Sequence, residues 1–377
     1  MRKTYKYRLY PNAAQRRVLN ATLESCRRVY NQTLEWRETA YASGVSIGLY
    51  ESNLWLRCWK RADPTLAEVN SQVLQNVQER VHLAFEAFFH RVKTGDEPGY
   101  PRFKGKGWYD SFIFKQSGFT LAGDHLCLSK IGSLKIKLHR PVAGTIRTLT
   151  VRRDRLGNWY ACFSCEVEPE PLPVSDQRVG IDLGLTTFAT LSNGETIERQ
   201  RWMARDARDI ARLQRQKEQY AKGSPERRKA LRALNHAYQR VTNQRANFAH
   251  QASRKLVNGY GLIVFEDLDI QPMRQNGSRT LHRGIDDVAW GQFVRFTAYK
   301  AESAGRDVIR IDPRGTTQEC SRCSAIVPKD LSVRLHLCPH CGLTLGRDLN
   351  AARNILARGL TSLRHRAVEA PSFSCGE

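Results

Sequence analysis

Three acidic residues, each inside its own short motif, are where this chain could do chemistry. They are Asp182 in Val179-Gly180-Ile181-Asp182-Leu183-Gly184, Glu266 in Leu262-Ile263-Val264-Phe265-Glu266-Asp267-Leu268, and Asp348 in Gly346-Arg347-Asp348-Leu349-Asn350-Ala351-Ala352. The first two sit on apolar runs that read as buried strands, and the third opens an amphipathic helix. An aspartate inside an apolar strand is costly unless it is paired or bound to metal. Hard divalent cations take oxygen ligands, and two such ions about 3.5–4 Å apart stabilise both the attacking and the leaving oxygen of a phosphodiester. The chemistry this predicts is hydrolysis by two Mg²⁺ ions held by Asp182, Glu266 and Asp348. Taken singly, each acid is also compatible with a satisfied structural carboxylate. Asp267 faces away from Glu266 on a strand, Asp269 lies nearby, and Asp312 is an outside candidate for a further ligand.

A second constellation is soft. Cys320-Ser321-Arg322-Cys323 and Cys338-Pro339-His340-Cys341 flank 14 residues. Two such knuckles supply four thiolates in a tetrahedral set, the arrangement of one structural Zn²⁺ with no open position for catalysis. Cys162-Phe163-Ser164-Cys165 has the same spelling but falls in a strand, where residues three apart point to opposite faces. Those two read as buried thiols, and Cys26, Cys58, Cys127 and Cys375 show no metal pattern.

The elements that must position these groups follow from periodicity. Residues 2–10 alternate as a strand, with Lys3, Tyr5, Tyr7 and Leu9 on one face. Asn12 with Gln15 has the form of a helix capping box, and Val18, Leu19, Thr22, Cys26, Val29, Tyr30 and Leu34 mark a helix ending before Gly44. A second long helix is predicted from about Thr65 to Val92, its stripe running from Leu66 to Phe89. Between Thr94 and Trp108 lies a loop in which aromatics alternate with cations, a composition suited to nucleic acid and also to a solvated linker. Residues 111–167 show five short β runs divided by Gly-containing turns, predicting a small barrel closed by the N-terminal strand. Pro169, Pro171 and Pro173 mark a linker. Beyond them come the Asp182 strand, a hairpin at Ser192-Asn193-Gly194, and two highly charged helices at about 204–222 and 225–258. The Glu266 strand, a helix at about 287–304, a strand at Val308–Ile311, the cysteine insert and the Asp348 helix complete the order. The set of strand acid, strand acid and helix-start acid matches a ribonuclease H-like sheet.

Composition narrows the partners. The chain has 377 residues, with 60 Lys+Arg against 37 Asp+Glu and a net charge of +23, which points to a polyanionic partner gripped through its phosphates. No apolar run has the roughly 18–20 residues needed to span a bilayer, and the N-terminus lacks a secretory apolar stretch. A cytoplasmic protein with reduced cysteines is expected.

These motifs together resemble TnpB, the family of RNA-guided nucleases encoded by insertion sequences and related to type V CRISPR effectors. The resemblance runs over about residues 3–358. It is carried by Arg8-Leu9-Tyr10-Pro11-Asn12 with Gln15, Ala84-Phe85-Glu86-Ala87-Phe88-Phe89, Tyr100-Pro101-Arg102-Phe103-Lys104, the three acidic motifs and the four cysteines. It implies an α+β multidomain chain. Residues 1–10 and 95–170 would form an oligonucleotide-binding-like wedge β-barrel, with an inserted helical recognition domain at 11–94. A RuvC α/β nuclease domain would follow at 174–315, carrying the helical hairpin 204–258. A zinc-ribbon insert at 316–345, a final helix at 346–359 and a disordered tail at 360–377 would complete it. The resemblance also implies a guide RNA from the element's right end, one protein per RNA, and a double-stranded DNA target next to a short transposon-adjacent motif. Asp182, Glu266 and Asp348 would be the catalytic acids, and Cys320, Cys323, Cys338 and Cys341 the zinc ligands. Candidates for reading the adjacent motif fall at Tyr50 and Gln75, with Ser71, Gln72, Lys115 and Gln116 beside them. Gly346 is a departure, since many members carry an acid there. The competing readings are a cleavage-inactive RNA-guided DNA-binding regulator, which intact acids argue against, and a DNA transposase.

Overall fold

The computed structural model describes residues 1–268, 288–330 and 332–369; Asp269, Cys375 and residues 370–377 of the expected tail lie outside them. The chain divides into two compact units, Met1–Glu168 and Pro169–Glu377.

The first unit begins with β1 (Arg2–Tyr10), followed by α1 (Ala13–Ala42), α2 (Leu49–Ala62), α3 (Pro64–Ala67) and α4 (Ser71–Thr94). Six strands complete it: β2 (Ser111–Phe114), β3 (Phe119–Ala122), β4 (His125–Leu128), β5 (Gly132–Lys137), β6 (Thr145–Arg153) and β7 (Trp159–Glu166). They form one sheet in the order β2-β6-β7-β1-β5-β4-β3. β1 is central, paired antiparallel with β7 from Arg2↔Glu166 to Leu9↔Trp159, and it buries Tyr5, Tyr7 and Leu9 at the period of a strand. The edge strands β2 and β3 follow one another in sequence, and their rings Phe114 and Phe119 meet at 6.3 Å, so the sheet curls into a nearly closed barrel. One hydrophobic core runs through the barrel and the helices, joining Leu19, Cys26 and Leu74 to Phe112, Phe114 and Phe163. On β7, Cys165 is buried and Cys162 is on the opposite, half-buried face.

The capping box at Asn12 is present, with both reciprocal hydrogen bonds at 2.9 Å. Val18, expected in the α1 stripe, is instead 39 % exposed, because it sits about 100° around the helix from Leu19. The single helix expected from Thr65 to Val92 is two: the chain breaks after α3, and the Asn70 side chain accepts from the Gln72 N–H at 2.9 Å to start α4 afresh. The α4 stripe stops at Phe85, and Phe89 is exposed. α2 is an addition to the expected order; it buries only Ser52 and Leu56, which leaves little periodicity to read.

The second unit contains β8 (Arg178–Leu183), β9 (Ala189–Leu191), β10 (Thr196–Ile197), α5 (Trp202–Gln219), α6 (Pro225–Gly259), β11 (Leu262–Glu266), α7 (Trp290–Ala304), β12 (Asp307–Ile311), β13 (Leu335–Leu337), β14 (Thr344–Gly346) and α8 (Arg347–Glu369). Five strands make a mixed sheet in the order β10-β9-β8-β11-β12, parallel across β8, β11 and β12 and antiparallel from β8 to β10. β8 and β11 are covered on both faces, which explains their unbroken apolar reading. α8 continues ten residues past Gly359, where a disordered tail was expected. Leu360 and Leu363, one turn apart, pack with Ile309, Ile311 and Ile355 and carry the helix on. No helix among the described residues is long and apolar enough to cross a membrane.

Candidate active site

β8 and β11 run parallel with Phe265 opposite Ile181, so the next residue on each, Asp182 and Glu266, stands on neighbouring strands at the carboxyl end of the sheet, still paired with Thr190 and Ile311 respectively. Alternation puts both acids on the face that also presents Gly180 and Val264. α8 lies on that face. A Cβ on Gly180 would stand 2.2 Å from the Ala352 carbonyl oxygen and 2.5 Å from the Leu356 nitrogen, and one on Gly359 would meet Val264 at 2.5 Å. The two glycines therefore let the helix backbone rest against the strands. That close seat brings Asp348, in the first turn of α8, into the field of the strand acids.

The other two acids bear on Asp182 electrostatically. Asp182 is 9 % exposed and Glu266 8 %. Burial, then the Glu266 and Asp348 carboxylates, push Asp182 up to about 8, against the opposing pull of Arg347. Burial also raises Glu266, offset by a hydrogen bond from Thr316 and the charge of Arg358. The Thr316 hydroxyl, 1 % exposed, donates to Glu266 Oε1 at 2.5 Å. Arg347 Nη2 lies 3.1 Å from Asp348 Oδ1. Buried, mutually repelling carboxylates of this kind are a hard-oxygen donor set short of positive charge, and they fit a divalent cation. Among the described residues only the four cysteines bring ligand atoms within 4.8 Å of one another, so the three acids sit wider than a cage for one ion. Asp267 is exposed and pairs with Arg310 at 3.4 Å. Asp312 is exposed, and its side chain accepts from the Arg314 N–H.

Several residues that the sequence reading passed over build the walls of this site. Asn354 donates to the carbonyls of Thr316 (2.8 Å) and Glu319 (2.7 Å). Asn350 donates to the Glu319 carbonyl at 2.7 Å and accepts from the Ser321 N–H at 2.9 Å. Arg358 reaches the Arg314 carbonyl at 2.6 Å and the Glu319 carboxylate at 2.8 Å. These contacts fasten the segment that bears Thr316 to α8. The available signal was a pair of asparagines four apart on the apolar face of a helix, both buried.

The cysteine cluster is assembled as its spacing predicts. Cys320 Sγ and Cys341 Sγ are 3.6 Å apart, as are Cys323 Sγ and Cys338 Sγ. Zn–S bonds of about 2.3 Å in a tetrahedron place sulfurs roughly 3.8 Å apart, so the four thiols fit zinc. β13 and β14 pair just beside it.

The candidates for reading an adjacent motif divide. Gln72 exchanges hydrogen bonds with Ser117 (2.9 and 3.3 Å), which joins the start of α4 to the link between β2 and β3. Lys115, in that link, pairs with Glu79 at 2.6 Å, and Gln116 and Gln75 are exposed. Ser71 accepts from Lys60 at 2.8 Å. Tyr50, 72 % exposed in the first turn of α2, is joined to none of them by a hydrogen bond or ring contact among the described residues. Gly346 has open space around its Cβ position and no left-handed backbone, so the local turn does not require glycine.

A family model described as "Cas12f1-like, TNB domain" matches residues 290–355, one described as "Probable transposase" matches 162–277, and one described as "Helix-turn-helix domain" matches 1–45. In that last stretch the fold has a strand and one 30-residue helix. The chain is 35 % identical to a Streptomyces pristinaespiralis protein named "Putative RNA-guided DNA endonuclease", over 96 % of this chain and 90 % of the relative. It is 30 % identical to a protein of the same description, InsQ, from Escherichia coli, over 95 % and 92 %. A CRISPR-associated endodeoxyribonuclease, Cas12f1 of Sulfoacidibacillus thermotolerans, is 31 % identical over 54 % of this chain and 51 % of its own length. Among solved structures, a Cas12f1–sgRNA–target DNA complex shares the fold, with a TM-score of 0.59 at 14 % identity, over 94 % of this chain and 98 % of that one.

Proposed function

This chain belongs to the TnpB family, and from that membership we propose that it is an RNA-guided DNA endonuclease acting through Asp182, Glu266 and Asp348. The observation that carries the reading is the pair of buried carboxylates at adjacent strand ends, with Asp182 raised by burial and by the charges of Glu266 and Asp348, in a chain of net charge +23. In this reading the barrel and helices of Met1–Glu168 are the wedge and recognition parts. The mixed sheet with α8 is the RuvC-type, ribonuclease H-like nuclease, and the cysteine segment is its zinc ribbon.

The three acids would hold two Mg²⁺ ions, which when bound supply an activated water and charge for the departing 3′ oxygen. Thr316 fixes the Glu266 carboxylate by its buried hydrogen bond, and Arg347 tempers the charge of Asp348. Cys320, Cys323, Cys338 and Cys341 would bind one structural Zn²⁺ and leave no open coordination position. The guide RNA, transcribed from the element's right end and bound by one protein molecule, supplies most sequence specificity through base pairing. The protein reads the short adjacent motif around Gln75, with Ser71, Gln72, Lys115 and Gln116 close by and Tyr50 apart. Sequential cuts at one site break both strands. Intact acids favour this over a cleavage-inactive regulator.

The test is a supercoiled plasmid carrying the target implied by sequencing the copurified RNA. With Mg²⁺ the wild type linearises it, whereas Asp182→Ala leaves it uncut and keeps the RNA. Metal-dependent cleavage that persists in that variant overturns the assignment.

A further inference from the structure

The loop between α4 and β2 lacks regular structure, yet it is firmly held. Tyr100 packs its ring against Phe85 and Phe88, at 5.7 and 5.2 Å between centroids. Arg91 donates to the Gly99 carbonyl at 3.1 Å. Lys104 is clamped by its backbone: its N–H donates to Asn31 Oδ1 at 2.8 Å, and its carbonyl accepts from Asn31 Nδ2 and from Arg27, both at 3.0 Å. Pro101 and Tyr109 are buried at either end. Between these anchors the side chains of Arg102, Phe103, Lys106 and Trp108 point to solvent.

Trp108 is 82 % exposed, the most of any large aromatic among the described residues. It is not loose. Its N–H closes a turn on the Gly105 carbonyl at 3.1 Å, which Gly107 makes possible at φ +81°. A Cβ on Gly105 would touch the indole edge at 3.4 Å, so the ring is seated against Gly105 and open elsewhere. The segment from Gly99 to Tyr109 carries three cations and no acid, and the adjacent Glu24 is neutralised by Arg27 at 2.6 Å.

We propose that Pro101–Tyr109 is a preformed platform for single-stranded RNA, with an unpaired base stacking on Trp108 and neighbouring phosphates held by Arg102 and Lys106. An open indole two residues from Lys106, with the exposed Phe103 ring in the same loop, suits base stacking, which tolerates any sequence because every base has a π-face. A protein partner would call for a contiguous apolar patch. Duplex DNA keeps its bases stacked inside, whereas RNA loops and ends offer them. The inference rests on the RNA-binding half of the proposed function and is independent of the carboxylate site.

The test uses the full chain, stripped of copurified RNA, without Mg²⁺ or target DNA, so its outcome is separate from that of the cleavage assay. The probes are fluorescent oligo(U) and oligo(dT) of about 12 nucleotides and a DNA duplex of equal length. Trp108→Ala is expected to weaken oligo(U) binding about tenfold, to leave the duplex within twofold, and to leave the salt dependence unchanged, because no charge is lost. Trp108→Phe recovers most of the affinity. Lys106→Ala instead lowers the slope of log affinity against log salt by about 0.7. Oligo(U) binding within twofold of wild type in Trp108→Ala, or an equal loss on the duplex, overturns the proposal. A loss on oligo(dT) equal to or larger than that on oligo(U) overturns the assignment to RNA; a larger loss on oligo(U) supports it.

Discussion

Gly180→Ala is the sharpest probe of how the carboxylate site is built, because it changes no charged group. The new methyl would lie 2.2 Å from the Ala352 oxygen and 2.5 Å from the Leu356 nitrogen, both backbone atoms that cannot rotate away. Ordinary contact distances are about 3.5 Å, so α8 must withdraw from β8 by roughly 1 Å. Overpacking of this kind costs about 1–3 kcal/mol. At about 2–4 °C per kcal/mol for a unit of this size, the unfolding midpoint should fall by roughly 2–12 °C. Asp348 rides on the displaced helix. A misplacement of about 1 Å at a reacting centre can cost on the order of 100-fold in rate. Plasmid cleavage should therefore fall by about two orders of magnitude, while copurified RNA and zinc content stay at wild-type levels. Gly259→Ala, with nothing near its Cβ position, is the control and should change neither quantity. If Gly180→Ala cuts within threefold of wild type with an unchanged midpoint, the account of glycine-mediated seating is wrong.

Three further outcomes follow from the same geometry. Asp182 has its folded-state pKa raised from 3.8 to about 8, so the folded chain holds the proton more tightly than the unfolded one. In metal-free protein its contribution to stability is fully present below about pH 4 and is lost as pH rises through about 8, with a slope of up to about 1.4 kcal/mol per pH unit. Thermal melts of Asp182→Asn should lack that slope, and Mg²⁺ at pH 8 should raise the midpoint of wild type but not of the variant; identical pH profiles would contradict the burial argument. Thr316→Val removes the 2.5 Å hydrogen bond to Glu266, a bond to a charged group worth about 1.5–3 kcal/mol. Cleavage should drop at least tenfold with RNA retention intact, and Thr316→Ser should restore it. Cys338→Ser should lower zinc from about one ion per chain to near none by elemental analysis, and full zinc retention would count against the four-thiolate site.

The sequence by itself was sufficient for what repeats locally or has a distinctive spelling. Alternation along Arg2–Tyr10 and Trp159–Glu166 shows the barrel strands, Asn12 with Gln15 shows where α1 starts, and the paired cysteine knuckles show their own cluster. The two strand acids stand out because a charge inside an apolar run is an anomaly that one dimension can display. Tertiary structure decided the rest. Gly180 and Gly359 read as ordinary glycines until α8 is seen lying on β8 and β11. Thr316, Asn350 and Asn354 are unremarkable polar residues until their partners arrive from distant segments. α2 hides because it buries two residues, and α8 outruns its expected end because Leu360 and Leu363 find an apolar neighbour supplied by β12. Periodicity reports the burial of a whole face, whereas a close approach of two backbones or one buried hydrogen bond depends on a pairing that no local pattern contains.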